Sequence, residues 1–96
     1  MGRPATVTTT DDDLAAMAKA LGHSARIQIL RLLAARDTCV TGDIVDELPL
    51  AQSTVSEHLR ILRDAGLIQG EIQGPRTRYC INLDGLAALK AAVSSL

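Results

Sequence analysis

The sequence predicts a mainly α domain with one β-hairpin: a winged helix-turn-helix of four helices, a two-stranded wing and a C-terminal fifth helix. Three observations predict it. Apolar residues recur at helical spacing in five separate stretches. Two of those stretches are joined by about three residues, Pro49, Leu50 and Ala51, which is the spacing of a helix-turn-helix. After Gly66 the period changes to alternation on both sides of a turn made by Gln73, Gly74, Pro75 and Arg76.

Met1 to Thr10 holds Gly, Pro and a Thr run without a hydrophobic period and is expected to be a flexible arm; the folded domain is expected over residues 11–96. Thr10 followed by Asp11, Asp12 and Asp13 reads as a helix start, with Thr10 as cap and the acids where the helix dipole favours negative charge. Leu14, Met17, Ala18 and Leu21 carry that helix to Gly22. Ser24 opens a second helix with the apolar stripe Ile27, Leu30, Leu33 and Ala34. Thr41 is placed to cap a short third helix bearing Ile44, Val45 and Leu48, which Pro49 closes because proline disfavours a helical residue before it. A fourth helix runs from Gln52 to Ala65 and stops at Gly66. Ile68 to Ile72 and Thr77 to Leu83 alternate as strands, and Asp84 or Gly85 starts a last helix with Leu86, Leu89, Val93 and Leu96 along one side.

Composition narrows the function. Ninety-six residues suffice for one compact domain. Hydrophobic residues make up 47% but aromatics only 1%, the single Tyr79, so the core is built from Leu, Ile, Val and Ala. Without a row of rings to stack single-stranded bases, RNA-recognition sheets and OB-folds are not expected. Ten Lys and Arg against eleven Asp and Glu leave a net charge of -1, which lowers non-specific affinity for nucleic acid without excluding specific binding. Cys39 and Cys80 are too few for a disulfide-stapled secreted scaffold. No apolar run approaches the roughly 18 residues of a membrane span, and no signal-peptide core follows the N-terminus. A soluble, cytoplasmic protein is expected. The opening MGRPAT matches the short N-myristoylation pattern and is read as a chance match.

The fourth helix carries the functional signal. On a wheel of 100° per residue, Val55, Leu59 and Leu62 point to the core, and Ser53, Glu57, Arg60 and Asp64 point away, with Ser56 and Arg63 on one flank. His58 sits on the shoulder of the core face. The exposed N-terminal half, Gln52, Ser53, Thr54 and Ser56, is short and hydrogen-bonding, which suits a helix laid in the DNA major groove. Gln addresses adenine edges, and Ser or Thr donates or accepts at bases or phosphates. An ordinary amphipathic helix would give the same wheel; the tight turn before it and the hairpin after it favour groove reading.

LGHSARIQILRLL, then DIVDELPLAQSTVSEHLRILRDAGLI, then a hairpin ending RTRYCINL, resembles the ArsR/SmtB family of winged helix-turn-helix repressors. The resemblance runs from about Leu14 to Leu96 and is most specific over QSTVSEHLRILRDAGLI. It implies that Gln52, Ser53, Thr54, Ser56 and His58 lie in or beside a DNA-recognition surface. Glu57 departs from the more usual basic or amide residue there, and either repels phosphate or accepts from a cytosine amino group. Arg76 and Arg78 become the wing cations, following phosphates or entering the minor groove. Arg60 and Arg63 are placed for phosphates, or for pairing with Glu57 and Asp64 on their own helix.

The first and last helices carry more apolar surface than so small a monomer easily covers. Leu14, Met17 and Leu21 would join Leu86, Leu89, Val93 and Leu96 in an isologous homodimer interface, which the resemblance also implies; the alternative is that the two stripes pack on each other within one chain. A dimer doubles the recognition helix and implies a pseudo-palindromic, double-stranded DNA operator. Members of the family release DNA on binding metals or metalloids, one site being a Cys-Val-Cys motif at the third helix. Here that segment is Cys39-Val40-Thr41, and the last helix offers only Asp84 of the acids and histidines a zinc site would need. His23 is expected to order the turn between helices rather than bind metal. Cys39 and Cys80 remain candidate thiols for an arsenite-like metalloid, a metal or an oxidant; two unlinked thiols are favoured over a joint site.

No phosphate-binding glycine loop, H-E-x-x-H, C-x-x-C or serine elbow is present, so no enzyme is expected. The competing function is a winged helix that binds only protein. The polar start of the fourth helix favours DNA.

Overall fold

The computed structural model describes residues 9–36, 39–45, 47–73 and 76–96. The expected arm therefore lies outside the described residues except for Thr9 and Thr10. Helix α1 spans Asp11–Ala20. The Thr10 side chain accepts from the Asp13 N–H at 3.0 Å and the Asp13 carboxylate accepts from the Thr10 N–H at 3.2 Å, a reciprocal capping box. Helix α2 spans Ser24–Ala35 and is capped by His23, whose Nδ1 accepts from the Ala25 N–H at 3.1 Å.

The buried face of α2 differs from the expected stripe. Ala25, Ile29 and Leu33 face the core, while Ile27 is 38% exposed and Ala34 is exposed. Ile27, Ile29, Leu30, Leu32 and Leu33 are apolar nearly all round, so spacing alone supports more than one inward face. Packing selects the i, i+4, i+8 row.

The largest departure comes after α2. Cys39–Thr41, read in the sequence as the approach and cap of the third helix, is strand β1, paired through to Thr41. It pairs antiparallel with β3 (Arg76–Ile81), which pairs with β2 (Ile68–Gln73), giving a three-stranded sheet in the order β1-β3-β2. Tyr79, the only aromatic, stands mid-sheet opposite Val40 and Gly70, its ring close over Gly70 and Gly42. Helix α3 is a single turn, Gly42–Val45. Residues 47–51, all non-helical, lead into α4 (Gln52–Asp64), a link longer than the three residues expected. The Leu50 N–H donates to the Leu48 carbonyl at 2.7 Å, making a three-residue turn around Pro49.

The sheet also corrects the reading of the cysteines. Cys39 and Cys80 are register partners on β1 and β3, with Cα atoms 4.0 Å apart, and they form a disulfide. The wing strand lies against β1, a strand too short to show any alternation in sequence.

Helix α4 ends in a Schellman motif. Gly66 adopts φ +80°, its N–H donates to the Arg63 carbonyl at 2.9 Å, and the Leu67 N–H donates to the Leu62 carbonyl at 3.0 Å. Leu62 and Leu67, which accompany these bonds, are both fully buried, worth about 1.5–3 kcal/mol each. The Leu67 carbonyl then accepts from the Asn82 N–H at 3.0 Å, and the Asn82 side chain caps α5 (Leu83–Ser94) by accepting from the Gly85 N–H at 3.2 Å. Thus α5 starts against the turn that ends α4.

The core joins Ile29 and Leu33 of α2, Val45 of α3, Val55 and Leu62 of α4, and Leu67 and Ile68 at the start of the hairpin. Helices α1 and α5 pack together at its edge. Met17 and Leu89, both expected at a dimer interface, are already buried in this single-chain core at 6% and 5% exposure.

A Cβ at Gly85 would stand 1.9 Å from the Gly66 carbonyl oxygen. Alanine is the better helix former by about 1 kcal/mol, but overpacking against backbone of roughly 3 kcal/mol outweighs it. Gly85→Ala is thus expected to destabilise by about 2 kcal/mol or more. Gly66→Ala, which meets no neighbour within 4 Å, is expected to lose roughly 1–2 kcal/mol from its positive φ alone. Urea unfolding of both variants checks the order; a Gly85→Ala protein as stable as the parent would contradict this packing.

Candidate nucleic-acid interface

The inward residues of α4 are Val55, His58, Leu59 and Leu62, which leaves Gln52, Ser53, Thr54 and Ser56 exposed together at its N-terminal half. Ala51 stands at the N-cap and provides no side-chain cap, unlike Thr10, His23 and Asn82 on α1, α2 and α5. The start of α4 thus presents short polar side chains beside a helix terminus that favours anions.

One turn further on, the charges are organised along the helix. The Arg60 guanidinium forks onto Glu57, Nε to Oε1 at 3.1 Å and Nη2 to Oε2 at 2.5 Å, and donates from Nη1 to Asp64 at 3.1 Å. Arg63 lies 3.8 Å from the other Asp64 oxygen. The hydrogen bond from Arg60 holds the Glu57 carboxyl below the usual carboxylate range, and the reciprocal bond raises Arg60. These pairs are solvent-exposed, so they add little stability and exchange readily for another anion.

On the wing, Arg78 faces Glu71 in register and pairs with it at 3.4 Å. Arg78 is half-buried, and its Nε lacks a hydrogen-bond partner among the described residues. Arg76 begins β3 opposite Gln73; its side chain lies outside what is described.

His58 is the exception among the expected recognition residues. It is 6% exposed and faces inward. Its Nδ1 accepts from Arg26 Nε at 3.1 Å, and its ring lies 4.6 Å from that of His23, tilted by 56°. Arg26 also donates to the Lys19 and Ala20 carbonyls at 3.1 and 3.4 Å, where α1 ends. One guanidinium thus ties the end of α1 to the inward side of α4, with the tilted His23 ring at the α1–α2 turn alongside. His58 sits on the α4 face whose other members are core residues, so its place on the shoulder of the wheel resolves to the inside. Arg26 escaped the sequence reading because it lies off the apolar stripe; the neighbouring His23 does order the turn, as an N-cap.

The remaining expected sites do not converge. Cys39 and Cys80 are bonded to each other, which leaves no thiolate pair for a metal. Among the described residues, no three His, Cys, Asp or Glu side chains are grouped to hold an ion. Among the described residues, and with the two cysteines bonded, the donors do not fit a resident metal.

Burial, and secondarily the positive fields of His23 and Arg26, lower the His58 pKa from its ordinary 6.5. The unfolded chain therefore takes up this proton at higher pH than the fold does. The stability contributed by neutral His58 is present above about pH 6.5 and is lost as pH falls through its lowered folded value. Unfolding midpoints between pH 7.5 and 5.0 are expected to fall more steeply for the parent than for His58→Gln, whose amide oxygen still accepts from Arg26. Parallel pH profiles would remove His58 from this account.

Comparison with known proteins places the arrangement. Residues 23–69, from the α2 cap to β2, match the family described as bacterial regulatory protein, arsR family. An uncharacterised HTH-type transcriptional regulator of Methanocaldococcus jannaschii is 36% identical over 78 residues, 81% of this chain and 88% of the relative. The arsenical resistance operon repressor of Bacillus subtilis is 36% identical over 64 residues, 67% of this chain and 61% of the relative. The solution structure of a homodimeric winged helix-turn-helix DNA-binding domain from Mycobacterium bovis, a possible ArsR-family regulator, is 29% identical. It matches 99% of this chain and 87% of its own with a TM-score of 0.72. By this match and these identities, the chain belongs to the arsR family of bacterial transcriptional regulators.

Proposed function

We propose that this protein is a homodimeric repressor that reads a pseudo-palindromic DNA operator with the N-terminal half of α4. The observation that carries the reading is the joint exposure of Gln52, Ser53, Thr54 and Ser56 at the start of the helix, with no exposed aliphatic or aromatic residue among them. Such a surface addresses base edges and phosphates; a protein-docking helix would present an apolar patch. Arg60, Arg63, Arg76 and Arg78 supply phosphate contacts, Arg60 and Arg78 by releasing their own acids. Glu57, clamped by Arg60 in the free protein, is freed by that exchange to accept from a cytosine amino group. His58 acts behind the surface, by holding α4 in place. Repression is inferred from the named relative in B. subtilis. Among the described residues no helix is long and apolar enough to cross a membrane, and a DNA partner places the protein in the cytoplasm.

The dimer surface is narrower than the seven residues expected from the sequence. With Met17 and Leu89 in the core, the remaining residues are Leu14, Leu21 and Leu86, half-buried, and Val93 and Leu96, 51% and 92% exposed. Leu83, 61% exposed, joins them at the start of α5. An isologous contact across α1 and α5 covers these side chains and sets two recognition helices about one DNA turn apart.

Two outcomes are expected from fluorescence-anisotropy titrations over a range of salt. Arg76→Ala and Arg78→Ala should each lower the log-log salt slope by roughly one unit, whereas the Gln52→Ala/Ser53→Ala pair should erode preference for operator over scrambled duplex by about ten-fold or more. Binding that is absent, or equal for every duplex, would favour the protein-docking reading. Val93→Glu should sediment as a folded monomer and bind operator at least about ten-fold more weakly; a dimeric Val93→Glu protein with parental affinity would move the interface elsewhere.

A further inference from the structure

The disulfide joins two strands that are remote in sequence. Cys39 and Cys80 are 41 residues apart. The ring they close contains α3, the turn around Pro49, α4 and β2, together with most of β3, while α1, α2 and α5 lie outside it. The bond therefore encloses the DNA-reading unit and excludes the elements proposed for dimerisation. At one end it anchors β1, an edge strand of three residues from which the single turn of α3 follows directly. At the other it anchors β3, the central strand that carries Arg76 and Arg78.

We propose that the Cys39–Cys80 pair is a reversible oxidation site that sets operator affinity, the bonded form holding β1, α3 and the wing in one arrangement and the dithiol form loosening them. The inference rests on the DNA-binding reading above. That reading places the protein in a compartment where thiols are kept reduced, and where a disulfide is characteristically transient or redox-sensing rather than a permanent staple. The domain also has a continuous core built without the bond, from Ile29 and Leu33 through Leu62 to Leu67 and Ile68. Reduction thus acts on β1 and α3 rather than on the whole fold.

Access distinguishes the two sulfurs. Cys39 is half-buried on the edge strand, and Cys80 is 7% exposed on the central one. Cys39 is accordingly the reacting residue and Cys80 the resolving one. With hydrogen peroxide as oxidant, the Cys39 thiolate attacks one peroxide oxygen; an S–O bond forms, the O–O bond breaks, and hydroxide leaves. The Cys80 thiolate then attacks the sulfur of the sulfenic acid, forming S–S and expelling a second hydroxide. With the two thiol protons, the products are one disulfide and two waters. Reduction runs by thiol–disulfide exchange: an external thiolate attacks the Cys39 sulfur, Cys80 leaves as thiolate, and a second external thiol releases Cys39. The bonded form binds more tightly, because its reading unit is already ordered and less conformational freedom is lost on the DNA.

The test uses the full chain in two states, treated with hydrogen peroxide or with dithiothreitol, the reagent then removed. Thiol titration and a mass difference of two hydrogens confirm each state. Operator affinity of the oxidised protein is expected to exceed that of the reduced protein by about ten-fold or more. Cys39→Ser and Cys80→Ser, checked for folding by circular dichroism, should bind like the reduced parent and ignore peroxide. Equal affinities, tighter binding by the reduced form, or a bond that glutathione leaves intact would each overturn the switch while leaving DNA recognition standing. Binding to no duplex in either state would instead overturn the DNA reading, and the coupling with it.

Discussion

The left-handed turn at Gly66 is the constraint on which the rest of the arrangement depends. It ends the recognition helix, turns Leu67 inward against the core, and sends the chain directly into the first wing strand. The same backbone segment receives α5, because the Leu67 carbonyl accepts from Asn82 and the Gly66 carbonyl leaves room only for a glycine at position 85. One turn thus fixes the angles between α4, the hairpin and α5, the three elements proposed to meet the major groove, the neighbouring DNA backbone and a second copy. An error of a few degrees there would be carried into all three, which is why buried contacts and hydrogen bonds converge on so few residues.

On the far side, α4 is held by a polar contact rather than by packing alone. Arg26 spans from the last carbonyls of α1 to His58, and His23 closes over the ring. Polar residues buried at a helix crossing specify one arrangement where an aliphatic contact would tolerate sliding. The outward face is organised differently. Arg60 and Arg78 are held by acids on exposed surfaces, in pairs that a phosphate can replace. In a chain of net charge -1, the cations proposed to contact DNA are thus compensated in the free protein and exchangeable.

Much of this was legible in the sequence, for physical reasons that vary by element. Thr10 before three aspartates, the run from Gln52 to its glycine stop, and the alternation on both sides of residues 73–76 are local signals. Each element formed, though Gln73 and Arg76, read as turn, pair in the strands and Leu83, read as strand, begins α5. Strand β1 was not legible, because three residues cannot display a period; its pairing comes entirely from β3. Missing that strand also hid the contact between Cys39 and Cys80, which lies between residues remote in sequence. The inward face of α2 was read correctly at Leu30 and Leu33 and wrongly at Ile27 and Ala34, because isoleucine and leucine occupy nearly every side of it. His58 was ambiguous on the wheel, and only a partner from another helix, Arg26, draws it inside. The expected dimer stripe mixed residues that cover the core with residues that do not, a distinction made only by the packing of α1 against α5.

The central claim is that two copies of α4, set by a two-fold axis, read duplex DNA by sequence. Selection of bound duplexes from a random pool, followed by sequencing, tests it most directly. Enrichment of an inverted repeat is expected, its half-site centres about 10–10.5 base pairs apart or a multiple of that. A pool that shows no enrichment, or that yields single half-sites without a repeat, would contradict it.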